Sequence, residues 1–172
     1  METIINFIIN LFSGLTKSSF GREIVVFIIS MMPILELRGG LIASALLKVN
    51  PVIGYIVSIV GNIIPVPFIL LFINKILDWM ENSKRKFFHN LASSIRKKAN
   101  KHKGKIEKYG YYGLILFVGI PLPGTGAWTG CLVASLLNLD KKKSFLCTMI
   151  GIFIASIIMM ILSYGIVGNL IE

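Results

Sequence analysis

Acidic residues are scarce in this sequence: Asp and Glu number 8 against 18 Lys and Arg, and charged residues make up only 15% of the 172 positions. An ordinary soluble domain carries about 25%. Cysteine and histidine are nearly absent, with 2 of each. Cys131 and Cys147 lie in apolar blocks with no Cys-x-x-Cys or Cys/His cluster, which excludes a disulfide framework and a structural zinc site. His89 and His102 have no partners at metal-ligand spacing, and no activated Ser/His or Cys/His pair falls in the apolar blocks. Neither an enzyme nor a cofactor is expected. Positions 1–15 are apolar after Thr3 but carry Glu2 in place of a positive leader, and read as a retained short helix.

What is present is apolar: 55% of the residues, with a mean hydropathy of +0.78. These residues fall in blocks at 23–32, 51–73, 111–122 with 131–137, and 144–167. Runs 51–73 and 144–167 contain no charge. Each makes about 35 Å of helix, against a hydrocarbon core of ~30 Å. Soluble, secreted and disordered classes are excluded, and the chain reads as an integral membrane protein. Of the basic residues, eleven lie in 75–108 and three are consecutive, Lys141, Lys142 and Lys143. Beside membrane spans such clusters set topology and touch anionic lipid heads, so the net charge of +10 does not point to nucleic acid.

Proline and glycine positions recur. Sliding the sequence against itself by ninety positions pairs Pro33 with Pro123, Gly40 with Gly130 and Gly61 with Gly151. These residue types set backbone geometry, so the match marks an internal repeat: apolar run, Pro/Gly break, shorter apolar run, polar turn, full-length span. The runs beside each break would make about 15 Å of helix, half the depth of the core. Each broken block therefore fits a kinked span or a re-entrant hairpin, and the positive-inside rule favours the hairpin. With 75–108 cytoplasmic, a crossing at 111–139 would carry Lys141, Lys142 and Lys143 outside, whereas a re-entrant segment keeps them inside. Lys17, Arg22 and Lys48 then lie outside, and the hairpins enter from opposite faces with their tips meeting near the midplane.

The sequence thus predicts one all-α integral membrane domain over 1–172, an inverted repeat of re-entrant helical hairpin plus transmembrane helix. A short helix in 1–20 precedes repeat 1 at 21–74, with hairpin 23–49 and span 51–74. A basic cytoplasmic segment, 75–108, separates it from repeat 2 at 109–168, with hairpin 111–139 and span 144–167. In the middle segment Leu77, Met80, Phe88, Leu91 and Ile95 recur at helical spacing. They predict an amphipathic helix on the inner leaflet, with Trp79 near the interface and the basic residues of 84–108 on anionic lipids.

The first break reads PILELRGG at 33–40. A charge at the midplane costs about 2.5–3.5 kcal/mol on insertion scales, so Glu36 and Arg38 must face a partner, a protein interior or a wet cavity. Non-helical backbone around Gly39 and Gly40 would bring the two together or free them to meet the other hairpin. Two readings stay open: an ion pair that holds the hairpin tip, or a functional pair in which Arg38 holds an anionic group and Glu36 exchanges a proton or cation. The second break reads PLPGTGAWTG at 121–130. Pro121, Pro123, Gly124, Gly126 and Gly130 cannot continue a regular helix, so the freed backbone groups must be buried in protein or line a cavity. A helix restarting near Gly130 would aim its N-terminal amides at the centre, and Thr125, Thr129 and the Trp128 indole add donors. Gly126-x-x-x-Gly130 also has the spacing of a close helix contact.

These two motifs resemble the small multidrug export family of bacterial and archaeal membrane proteins, over approximately 20–170. The paired hairpins are also distantly similar to the DedA (VTT-domain) superfamily, which has facing re-entrant helices and is implicated in moving lipid phosphates. That similarity implies an acidic position at Glu36, while the superfamily's second-hairpin arginines have no counterpart at 125–130. Residues and resemblance together predict a transporter with its site between the hairpin tips, exporting a small molecule with ion or proton coupling. The alternatives are a lipid-phosphate flippase and a non-transporting membrane scaffold. Few elements are available to wall a path, so a homodimer is expected.

Overall fold

A computed structural model describes residues 2–83, 85–122 and 124–165, and every regular element among them is helical. Helix α1 (Glu2–Leu11) and a 3-10 turn (Leu15–Lys17) lead into α2 (Ser19–Met31) and α3 (Glu36–Leu46). Then follow α4 (Pro51–Ile63), α5 (Pro65–Glu81), α6 (Lys86–Gly119), α7 (Ala127–Leu136) and α8 (Lys141–Gly165). Several starts are written locally. The Ser18 hydroxyl accepts the Gly21 amide, the Asn50 side chain accepts those of Val52 and Ile53 ahead of Pro51, and Asp140 accepts that of Lys143. Side-chain oxygens at these positions satisfy amides that the first helical turn leaves without partners.

Helices α2 and α3 pack as an antiparallel pair. At its open end an Arg22 guanidinium N–H donates to the Leu47 carbonyl at 3.2 Å, and near its closed end Gly40 packs against Ser30. The last turns of α6 pair with α7 in the same way: the Asp140 amide donates to the Tyr111 hydroxyl at 3.1 Å, and Gly130 packs on Val118. Helix α8 relates the two pairs. Its first residues lie beside Tyr111, with the Lys143 ammonium 5.9 Å from that ring, while Tyr164 at its other end meets the Ser44 hydroxyl at 2.6 Å. The two helix pairs therefore open at opposite ends of α8. Lys48 sits at one end. Lys75 sits at the other with Lys141, Lys142 and Lys143, because neighbouring Asn74 donates to the Ser135 carbonyl at 2.8 Å.

The ninety-residue spacing reappears in the backbone. Amides of Leu47, Lys48 and Val49 return to the carbonyls of Ala43, Ala45 and Ser44, and those of Leu137, Asn138 and Leu139 return to Val133, Ser135 and Ala134. Lys48 and Asn138 share a left-handed φ of 52°. The halves are also interleaved, since α3 packs on α8 and α7 packs on α5. Their shared core includes Leu37, Leu41, Ile59, Leu114, Cys131 and Ile152.

The long helices are apolar outside and hydroxyl-bearing inside. Ile56, Phe68, Leu71, Ile150, Ile157 and Ile161 are exposed, while Ser58, Asn62, Ser144, Thr148, Ser156 and Ser163 are buried. Water would penalise so large an apolar surface; a bilayer does not.

Several expectations are corrected. The span expected at 51–74 is two helices, α4 and α5, that run on to Glu81; Pro65 removes one amide, but Ile64 keeps helical angles and the column continues. The amphipathic helix expected through Leu77 and Ile95 is not one helix. Leu77 and Met80 end α5, Phe88 and Ile95 begin α6, and the two ends fold together around buried Ala92. Arg96 fastens that fold by pairing with Asp78 and Glu81. Trp79 is exposed, as is Leu91. Helix α6 then runs into the second pair through a kink at Gly110, whose φ of 56° suits glycine.

Candidate functional site

The closed ends of the two helix pairs meet. In the first, the break spans 32–35, and Glu36 opens α3 with a left-handed φ of 51°. Gly39 and Gly40 are not the unwound residues expected from the sequence. Both lie within α3, where Gly39 packs on Leu35 and Ile29, and Gly40 on Ser30 and Ser58. In the second, α7 restarts at Ala127 rather than near Gly130, and Gly130 is a packing residue against Val118 and Leu114. Among the flanking prolines, Pro33 is exposed and Pro121 half-buried, and Pro123 lies outside the described residues.

Glu36 and Arg38 are 5% and 7% exposed, and among the described residues they form no ion pair with each other. Each is bonded to the other helix pair. The Glu36 carboxylate accepts the Ala127 amide at 3.1 Å and the Trp128 amide at 3.0 Å, so it caps α7 from ninety-one residues away. Gly126, the residue before α7, has no side chain to do this. Charge and helix dipole agree here: an anion at an N-terminus is favourable, and bonds to a charged group contribute on the order of 1.5–3 kcal/mol each. Arg38 does the converse. Its guanidinium donates to the Leu122 carbonyl, the Thr125 carbonyl at 2.8 Å and the Thr125 hydroxyl at 3.0 Å, satisfying oxygens freed where α6 ends. The Thr125 hydroxyl in turn donates toward the Ile120 and Leu122 carbonyls. A third link comes from the Trp128 indole, which donates to the Met31 carbonyl at 3.2 Å, where α2 ends.

Gly126 and Gly124 serve this junction differently. Gly126 has φ of 135°, and a Cβ there would fall on the Glu36 carboxylate. Gly124 has φ of 81° but open space around it, so its requirement is backbone conformation alone. Thr129 is half-buried on α7. The structure thus brings Glu36, Arg38, Thr125, Gly126 and Trp128 into one junction, where the Arg38, Thr125 and Trp128 indole donors go to protein carbonyls and the first α7 amides to the Glu36 carboxylate. Asn62, buried on α4, was not singled out by sequence reasoning; the readable signal was one amide side chain in the uncharged run 51–73.

The long apolar columns Pro51–Glu81 and Lys141–Gly165 are each long and apolar enough to cross a bilayer, and with buried hydroxyls and exposed aliphatic faces they define an all-helical membrane protein. The chain belongs to the family described as "Putative small multi-drug export protein", which it matches over residues 36–158, more than two thirds of its length. No curated protein and no solved structure matches it.

Proposed function

We propose that this protein is a membrane exporter of small molecules whose path is closed where the two helix pairs meet. Read in a bilayer, α2–α3 and the α6–α7 pair are re-entrant hairpins entering from opposite faces, and the halves form an inverted repeat. The observation that carries this reading is the reciprocal bonding of Glu36 and Arg38 to the broken backbone of the other half. Discontinuous helices whose ends face each other near the membrane centre are a common construction of transporter sites. A groove along α6 supports it too: from Lys108 and Tyr109 it passes Leu116 and Ile120 and ends at Leu122 and Thr125, whose oxygens Arg38 holds. In this reading the junction is the closed gate, and export requires Glu36 and Arg38 to release their partners, driven by an ion or proton gradient. The basic segment 84–108 lies on anionic lipid at the cytoplasmic face, and two copies wall the path.

One observation favours a second reading, a non-transporting scaffold: the Glu36 carboxylate and the Arg38 guanidinium are already bonded within the protein. Transport of candidate substrates in sealed proteoliposomes separates the two. The exporter reading expects flux in the native chain and its loss in Glu36→Gln, with insertion intact. Absence of flux across cationic drugs and lipid phosphates alike supports the scaffold.

A further inference from the structure

Helices α3 and α4 pack in an antiparallel register fixed by small residues. A Cβ on Gly54 would meet the Ser44 hydroxyl, and a Cβ on Gly40 would meet the Ser30 and Ser58 hydroxyls. Carried one turn further along both helices, this register sets Asn62 of α4 level with Glu36 of α3. Asn62 is 2% exposed and Ser58 is fully buried, and among the described residues neither Asn62 Oδ1 nor Ser58 Oγ has a hydrogen-bond partner. Buried polar atoms without partners are rare in folded proteins, and a pair of them one turn apart on one face of α4, a face whose register with α3 reaches the level of Glu36, calls for an account. The Ser30 hydroxyl shares the space around Gly40 with that of Ser58; it donates to the Val26 carbonyl at 2.8 Å and keeps its lone pairs.

The chemistry of these atoms is narrow. They are hydroxyl, amide carbonyl and carboxylate oxygens, with no imidazole among them, which selects a hard cation. Only one of them carries a full negative charge, which suits one positive charge rather than two. Each Glu36 oxygen accepts a single amide of α7 and retains acceptor capacity. We infer that Ser58, Asn62 and Glu36, with Ser30, form a buried site for a small monovalent cation, Na⁺. A bound ion would tie α4 to the tip of α3 and compete with α7 for the Glu36 carboxylate. Its role in driving export rests on the transport reading above; binding itself does not.

The test uses the purified full chain, melted in NaCl and in choline chloride at equal ionic strength. The melting temperature should rise saturably with Na⁺, by about 3–6 °C at tenfold the dissociation constant. Asn62→Leu and Ser58→Ala should each abolish the Na⁺ dependence while melting in choline chloride no lower than the native chain. Equal melting of the native chain in the two salts overturns the inference whether or not either variant folds, and so does a saturable Na⁺ shift that survives in Asn62→Leu. Na⁺ binding without gradient-driven flux leaves the site standing and removes the transport reading. Flux indifferent to Na⁺, together with no melting shift, does the reverse.

Discussion

The carboxylate of Glu36 caps helix α7 by accepting the amide of Trp128, and the indole of the same Trp128 donates to the Met31 carbonyl at the end of α2. The two residues hold the broken ends of both helix pairs at once. Removing the charge should therefore weaken the junction without dismantling the fold. Glu36→Gln retains one acceptor but neither the full charge nor two equivalent oxygens, and should cost on the order of 1.5–3 kcal/mol. We expect normal insertion, a melting temperature lowered by several degrees, and flux reduced at least tenfold in proteoliposomes. Native flux and native melting together would remove Glu36 from the junction's function.

Arg38 satisfies three oxygens with one planar group. Lysine keeps the charge but offers a point donor on a flexible stem, so Arg38→Lys cannot hold the Leu122 and Thr125 carbonyls in the same geometry. The segment 120–125 should become easier to open. Hydrogen exchange at its amides, measured by mass spectrometry, should rise in the variant while α8 stays protected.

The two glycines of the second break should separate cleanly. Gly126→Ala places a Cβ on the Glu36 carboxylate and should be as damaging as removing the carboxylate itself. Gly124→Ala meets no neighbour and pays only for left-handed backbone, about 1–2 kcal/mol, and Gly124→Asn should pay less. Melting of the three variants should rank Gly126→Ala lowest and Gly124→Asn highest.

Single cysteines at 48, 75 and 142, in a background without Cys131 and Cys147, test the arrangement of the ends. Positions 75 and 142 lie at one end of the molecule and 48 at the other, with α8 between them. An impermeant thiol reagent should label 48 from one face of the membrane and both 75 and 142 from the opposite face. Labelling of 48 and 142 from the same face would exclude the paired re-entrant arrangement.

Ser44 and Tyr164 join α3 to the far end of α8 through a 2.6 Å hydrogen bond. A double-mutant cycle of Ser44→Ala with Tyr164→Phe should give a coupling of about 0.5–1.5 kcal/mol. A coupling near zero would mean that the first helix pair is not anchored to that span.

The sequence by itself determined the class of protein and two of the places where its helices break. Uncharged runs at 51–73 and 144–167 are long and apolar enough to cross a bilayer, and Pro33 and the Pro/Gly run at 121–126 interrupt the helices beside them. It also determined that Glu36 and Arg38 needed partners, because buried charge cannot stand alone. The sequence spaces Pro and Gly ninety positions apart, and the helix ends at Lys48 and Asn138, also ninety apart, share a left-handed φ and the same return of amides to carbonyls. Only the tertiary structure decided which partners those charges take. Hydrogen bonds are chosen by proximity in space, and Glu36 finds the Ala127 and Trp128 amides rather than Arg38, two positions along. The start of α7 was illegible for the same reason, since its cap is borrowed from the other half and nothing local at Gly126 announces it. Gly39 and Gly40 were read as breakers, yet they are helical. Their missing side chains let Ile29, Ser30 and Ser58 approach, and a neighbour's need for space is written in the packing rather than in the residue itself.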